Sequence, residues 1–321
     1  MSNTAHNEYQ RRINEKLARE LGPALCGLLE DPAVIEIMLN PNGELWVERL
    51  GQPMQLSGHM ATSTAESLMN TIAARLKGGL AGRNAILECE LPLDGSRFEA
   101  LIPPIVEGPT FTIRKKAIMV FTLENYVAEG TMTAAQRATI EAAVRNRKNV
   151  LIVGGTGSGK TTLTNAVINY IVNVCPDDRL VILEDTRELQ CTAKNAVLMR
   201  SVDQADMTRL LKATMRLRPD RILVGEVRDG AAHALLKAWN TGHPGGVATL
   251  HANSAAAGLI RMEQLVAEAT HAPMQSLIAE AVDLIVSIEK HAGSRRIKEV
   301  LQVKGHDGKG YATQSTGETD V

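Results

Sequence analysis

Aromatic side chains are scarce in this chain. Its 321 residues hold 2 Trp, 4 Tyr and 3 Phe, so Leu, Ile, Val, Met and Ala must fill the cores. The 4 cysteines, Cys26, Cys89, Cys175 and Cys191, show no paired spacing, which excludes both a zinc framework and a disulfide scaffold and leaves them as reduced packing residues. No apolar run approaches the roughly 18 residues that a membrane span needs, and the polar N-terminus lacks a signal-peptide core, which predicts a cytoplasmic protein. A net charge of −1 removes any global attraction for nucleic acid, so a DNA contact would require a local basic patch.

Against these absences stands a length of 321 residues, enough for two packed domains. In the first, Tyr9, Ile13, Leu17 and Leu21 recur every four residues, and Leu25, Leu28 and Leu29 extend the stripe past a break at Gly22-Pro23, describing an amphipathic helix. Strand patterns over 31–40 and 45–49 flank the turn Pro41-Asn42-Gly43. A helical pattern over 64–76 and strands over 97–102 and 110–115 complete an α+β N-terminal domain, 1–116. A less regular linker, 117–132, follows. Thr133 then caps a helix that opens a second domain, 133–303, in which buried runs at 150–153, 180–183, 222–224 and 247–250 alternate with helical patterns. The fold class is therefore α/β: a mainly parallel sheet with helices on both faces, carrying further strands near 281–288 and 297–303 joined by a short basic turn. The segment 304–321, rich in Gly, Thr, Ser and Asp, reads as a disordered tail.

The chemistry concentrates in the second domain. The apolar stretch 149–153 runs into Gly154-Gly155-Thr156-Gly157-Ser158-Gly159-Lys160-Thr161-Thr162 and then an amphipathic helix. A buried strand ending in glycines can fold its amides around a triphosphate, and the following helix aims its N-terminal dipole at the same charge. Lys160 would neutralise the β- and γ-phosphates, and the Thr161 hydroxyl would take a position on Mg²⁺.

Three further segments sit at strand ends, where open parallel sheets bind ligands. Glu184 and Asp185 follow the 180–183 run and offer carboxylates to a metal, directly or through water, and to an attacking water. Glu226 ends the strand that begins near Arg221 and is the candidate general base. Many phosphate-loop proteins place an aspartate just before such a glutamate. Gly225 stands there in this chain, which passes the metal's outer contacts to Glu184 or Asp185. Finally, His243 and His251 flank the 247–250 strand, and one or both are candidates to approach the γ-phosphate.

Taken together, these four segments resemble the phosphate loop, aspartate box, Walker B strand and histidine box of the secretion ATPase superfamily of traffic motors. ILEDTREL (182–189), RPDRILVGEVRD (218–229) and TGHPGGVATLHANS (241–254) carry the match, and Pro244-Gly245-Gly246 after His243 is similar to the type IV secretion and conjugation branch. In the N-terminal domain, 35–49, 91–105 and 111–116 extend the resemblance over nearly the whole chain. It implies a RecA-like ATPase domain behind a smaller N-terminal domain, a homo-hexameric ring, ATP and Mg as cofactors, and Arg97 and Arg114 reaching the nucleotide. It also implies work with inner-membrane channel proteins at the cytoplasmic face, and allows peripheral association with the membrane, without sequence-specific nucleic-acid binding. A hexameric DNA translocase or helicase is the alternative that shares the RecA-like core.

Overall fold

The computed structural model describes residues 3–75, 85–116, 121–291 and 294–316. Two compact units divide the chain, Met1–Met119 and Val120–Val321.

The first unit opens with α1 (Asn3–Glu30), whose course breaks at Gly22, where φ is 73°, ahead of Pro23. Proline removes an amide donor and crowds the preceding turn, so the helix continues only after a kink. Six strands follow in an antiparallel sheet ordered β3-β2-β1-β6-β5-β4: β1 (Val34–Leu39), β2 (Glu44–Arg49), β3 (Gln55–His59), β4 (Ile86–Glu90), β5 (Arg97–Leu101) and β6 (Thr110–Arg114). Between β3 and β4 runs α2 (Thr62–Arg75). Alternation along the strands sends Ile37, Val47, Phe98 and Ile113 into one core with Leu17, Leu21 and Leu25 of α1 and Leu68 of α2. The short, exposed β3 and the charged β4 lack the apolar pattern that marks a strand in sequence.

The second unit holds an eight-stranded sheet, ordered β14-β13-β12-β7-β11-β10-β8-β9. Its parallel part is β7 (Val150–Val153), β8 (Leu180–Glu184), β9 (Ala196–Arg200), β10 (Arg221–Val224) and β11 (Val247–Leu250), with β12 (Leu284–His291) joining β7 in parallel. An antiparallel extension is formed by β13 (Ser294–His306) and β14 (Tyr311–Thr316). Because side chains alternate, Val150 and Ile152 pack with α3 (Leu123–Ala128), α4 (Ala134–Arg145) and α5 (Lys160–Val174). Leu151 and Val153 face α6 (Met207–Thr214), α7 (Ala231–Asn240), α8 (Ala255–Ala267) and α9 (Gln275–Ala281). The sheet is thus covered on both sides, as continuous apolar strands require.

Two expectations change. The stretch 304–321, read as a disordered tail, instead completes β13 and forms β14 as far as Thr316, with 317–321 outside the described residues. Its polar composition suits an edge strand, and Val303 of β13 pairs with Thr313. Within the expected linker, where 117–120 lie outside the described residues, Leu123 and Tyr126 belong to the second unit's core. There α3 begins with a reciprocal capping box between Thr122 and Asn125.

Candidate nucleotide site

The fully buried β7 delivers the chain to Gly154, where an added Cβ would lie 2.3 Å from the carbonyl oxygen of Ile288 on β12. Only glycine fits that approach. Gly157 and Gly159 adopt positive φ, 66° and 102°, conformations that L side chains rarely take. Gly155 and Thr156 form the exposed crest of the loop, whereas Ser158 is buried and its Oγ has no hydrogen-bond partner. Gly159 caps α5 without a side-chain bond, so the first-turn amides, including those of Thr161 and Thr162, stand at a positive helix end.

Lys160 is folded inward with 8% of its surface exposed. Its Nζ donates to the carbonyls of Gly154 and Gly155, both at 2.9 Å, and to Nδ1 of His251 at 3.2 Å. An ammonium only donates, so Nδ1 of His251 accepts and the ring proton belongs on Nε2. That nitrogen lies 2.7 Å from Oε1 of Glu226. The second oxygen, Oε2, accepts from Arg228 Nε at 2.8 Å and Nη2 at 2.5 Å. Burial works against the charge of Arg228, but its hydrogen bond and charge pairing with Glu226, together with Asp185 and Glu188, raise its pKa overall. A line of polar contacts therefore runs Lys160, His251, Glu226, Arg228.

Glu184, 3% exposed at the end of β8, uses Oε1 to accept the amides of Glu188 at 2.9 Å and Leu189 at 2.7 Å. This carboxylate holds the loop that follows β8. The same side chain explains Gly225: a Cβ there would lie 3.0 Å from Glu184 Cγ. Glu184 fills the space that an aspartate at 225 would need. Asp185 accepts from Ser201 Oγ at 2.5 Å and lies 3.8 Å from Arg228. Thr161 Oγ1 donates to Glu188 Oε2 at 3.2 Å. Among the described residues, no group of three or more His, Cys, Asp or Glu side chains is placed to hold a metal ion. A hard cation bound at Thr161 would need most of its oxygen ligands from a phosphate or water, which is the usual manner of Mg²⁺.

The two histidines part company. His251 follows β11 and joins the loop, but His243 precedes β11 and its Nδ1 lies 3.0 Å from the carbonyl of Pro219, ahead of β10. Parallel strands put these segments at the opposite end of the sheet from the glycine-rich loop, so His243 does not join that cluster. Close by, Arg221 is fully buried, paired with Asp178 at 2.6 Å and donating to the carbonyls of Gly245 and Val144.

In the first unit, Arg97 and Arg114 are direct cross-strand partners on β5 and β6. Glu90 lies opposite Arg97 on the far side, and Glu36 opposite Arg114. The two cations thus stand between two carboxylates in one row across the sheet.

Sequence reasoning did not single out Glu188 and Arg228 as site residues. Each sits within three residues of a chosen carboxylate, and only the fold shows that one reaches Thr161 and the other Glu226.

Comparison with known proteins gives the family. Residues 22–316 match the family described as Type II/IV secretion system protein. The chain belongs to this family. Within the family it is similar to the probable conjugal transfer protein TrbB of Sinorhizobium fredii, with 56% identity covering 91% of this chain and 90% of the relative. A conjugal transfer protein TrbB of Rhizobium radiobacter is 54% identical, covering 94% of each chain. Protein VirB11 of Agrobacterium fabrum is 32% identical over 85% of this chain and 89% of its own. These relatives set the chain among the type IV secretion and conjugation traffic ATPases. In fold it is similar to the ATPase DotB of Legionella pneumophila, with a TM-score of 0.64 and 20% identity over 85% of this chain and 78% of the other. The pilus retraction motor PilT shares the fold with a TM-score of 0.61 and 18% identity over 92% of this chain and 82% of its own.

Proposed function

We propose that this family member binds ATP with Mg²⁺ at the loop 154–161 and hydrolyses it, as a homo-hexamer, to drive conjugative or type IV secretion transfer. The contact line from Lys160 through His251 to Glu226 carries this reading, because it links the phosphate-facing ammonium to a carboxylate placed to act on water. Lys160 exchanges its contacts with Gly154 and Gly155 for phosphate oxygens. Glu226 serves as general base. Arg228 occupies Oε2, so proton acceptance falls on Oε1, the oxygen that His251 holds in position. Thr161 would hold Mg²⁺ directly and Glu184 and Asp185 would hold it through water, and the ion would supply positive charge to offset that of the phosphates.

Arg97 and Arg114 are assigned to γ-phosphate recognition by the family resemblance. The relatives named as conjugal transfer proteins support work in a conjugation system, and the partners in this reading are channel proteins at the cytoplasmic face of the inner membrane. No helix among the described residues is long and apolar enough to cross a membrane, which is compatible with peripheral association.

The test is to compare the parent with Glu226→Gln and Lys160→Ala. Glu226→Gln is expected to retain ATP while phosphate release slows by about 10² or more, and Lys160→Ala to lose nucleotide binding. Phosphate release from Glu226→Gln at the parent rate would refute the assignment of the base. Stimulation of turnover by single-stranded DNA would instead support a translocase.

A further inference from the structure

The loop has a second basic wall that this chemistry leaves unused. Lys290 on β12 and Arg295 on β13 are direct cross-strand partners, and both lie against the loop, beside Gly157 and Gly159. A Cβ on Gly159 would meet Arg295 Cδ at 2.9 Å and Nε at 3.3 Å, and one on Gly157 would meet Lys290 Nζ at 3.2 Å. Gly159 is therefore fixed twice, by its positive φ and by the arginine stem beside it.

One observation points to an anion at this wall. Arg295 Nε is buried and has no hydrogen-bond acceptor. A buried unmet donor is costly, and a guanidinium donor most of all. Neighbouring Glu289 does not meet that need: its carboxylate accepts from Arg296 at 2.8 Å and pairs with Lys298 at 3.4 Å. Those partners hold its pKa below the usual value, overcoming the opposing effect of burial.

We propose that Arg295, assisted by Lys290, is a nucleotide-binding residue that contacts the α-phosphate. The inference rests on the reading that loop 154–161 holds ATP. In that reading the interior of the loop and Lys160 enclose the β- and γ-phosphates. The outer flank beside Gly157 and Gly159 then faces the phosphate that leaves the loop toward the ribose. A contact there is common to ATP and ADP. It strengthens ground-state binding without discriminating the triphosphate.

The experiment measures ADP and non-hydrolysable ATP affinity by fluorescence titration, together with KM and kcat, for the full chain and for Arg295→Met and Lys290→Gln. Methionine retains much of the stem's packing and removes the donors. Arg295→Met is expected to weaken both nucleotides by a similar factor, about tenfold or more, with KM rising in step. Lys290→Gln, at an exposed position, should weaken both by a smaller common factor and tests the proposal even if Arg295→Met fails to fold. Unchanged affinity in the folded variants, or a loss confined to the ATP analogue, would overturn the assignment. Failure of the parent chain itself to bind either nucleotide would refute the ATP-binding reading instead, so the two failures are distinguishable.

Discussion

Nε2 of His251 lies 2.7 Å from Oε1 of Glu226, while Nδ1 of the same ring faces Lys160 Nζ at 3.2 Å. One imidazole thereby connects the residue assigned to the phosphates with the residue assigned to water. Replacing it should separate binding from turnover. His251→Ala is expected to leave nucleotide affinity within a few-fold of the parent and to lower kcat by about 10–100-fold, the scale of a misplaced general base. Steady-state ATPase kinetics beside equilibrium nucleotide titration check this, and an unchanged kcat would remove His251 from the mechanism.

Gly225 is fixed by the side chain opposite it. With Glu184 Cγ only 3.0 Å from the position of a Cβ, Gly225→Asp crowds the strand end and sets a second carboxylate beside a buried one. Overpacking of this kind costs about 1–3 kcal/mol. Thermal unfolding should show a lowered Tm. Gly225→Ala should show a smaller fall, since it adds bulk without charge.

The Arg221–Asp178 pair predicts a stability effect remote from the candidate site. Arg221 is 0% exposed, and Asp178 also accepts from Arg147 at 2.5 Å. Asp178→Ala leaves a buried guanidinium uncompensated, a loss of about 3–5 kcal/mol. Chemical denaturation should register it as a lower midpoint. A midpoint equal to the parent's would show that the pair is dispensable.

Arg97 and Arg114 test the resemblance at its least local point. Both stand in a row with Glu36 and Glu90, so a purely structural ion-pair role predicts that Arg114→Lys keeps activity. Phosphate recognition predicts otherwise, because lysine cannot reproduce a planar, bidentate contact. Arg97→Ala, Arg114→Ala and Arg114→Lys are expected to retain ADP binding and to lose most turnover, by up to about 10³-fold for an arginine acting on the transition state. Parent-like ATPase rates in all three would assign the row to the sheet alone.

Much of this was legible in the chain itself. Glycine and lysine in 154–160, after four consecutive apolar residues, specify a buried strand, a turn at positive φ and a helix start by local sterics alone. The capping box of Thr133 and Gln136 and the break at Gly22-Pro23 are equally local. The polar composition of 304–321 suggests disorder, whereas β14 is held by pairing with β13, a contact of the whole sheet. The two histidines have similar surroundings in sequence. They separate in space because a strand carries the chain from one end of the sheet to the other.

The sequence alone determined the α/β class, the glycine-rich loop and the acidic strand ends, because each depends on short-range sterics and periodicity. Tertiary structure alone decided which ionisable groups meet. It brought His251 and not His243 to Lys160, set Glu184 against Gly225, and laid Lys290 and Arg295 along the loop from strands more than a hundred residues away. Such contacts arise from sheet order and register, which join distant segments, and no spacing along the chain encodes them.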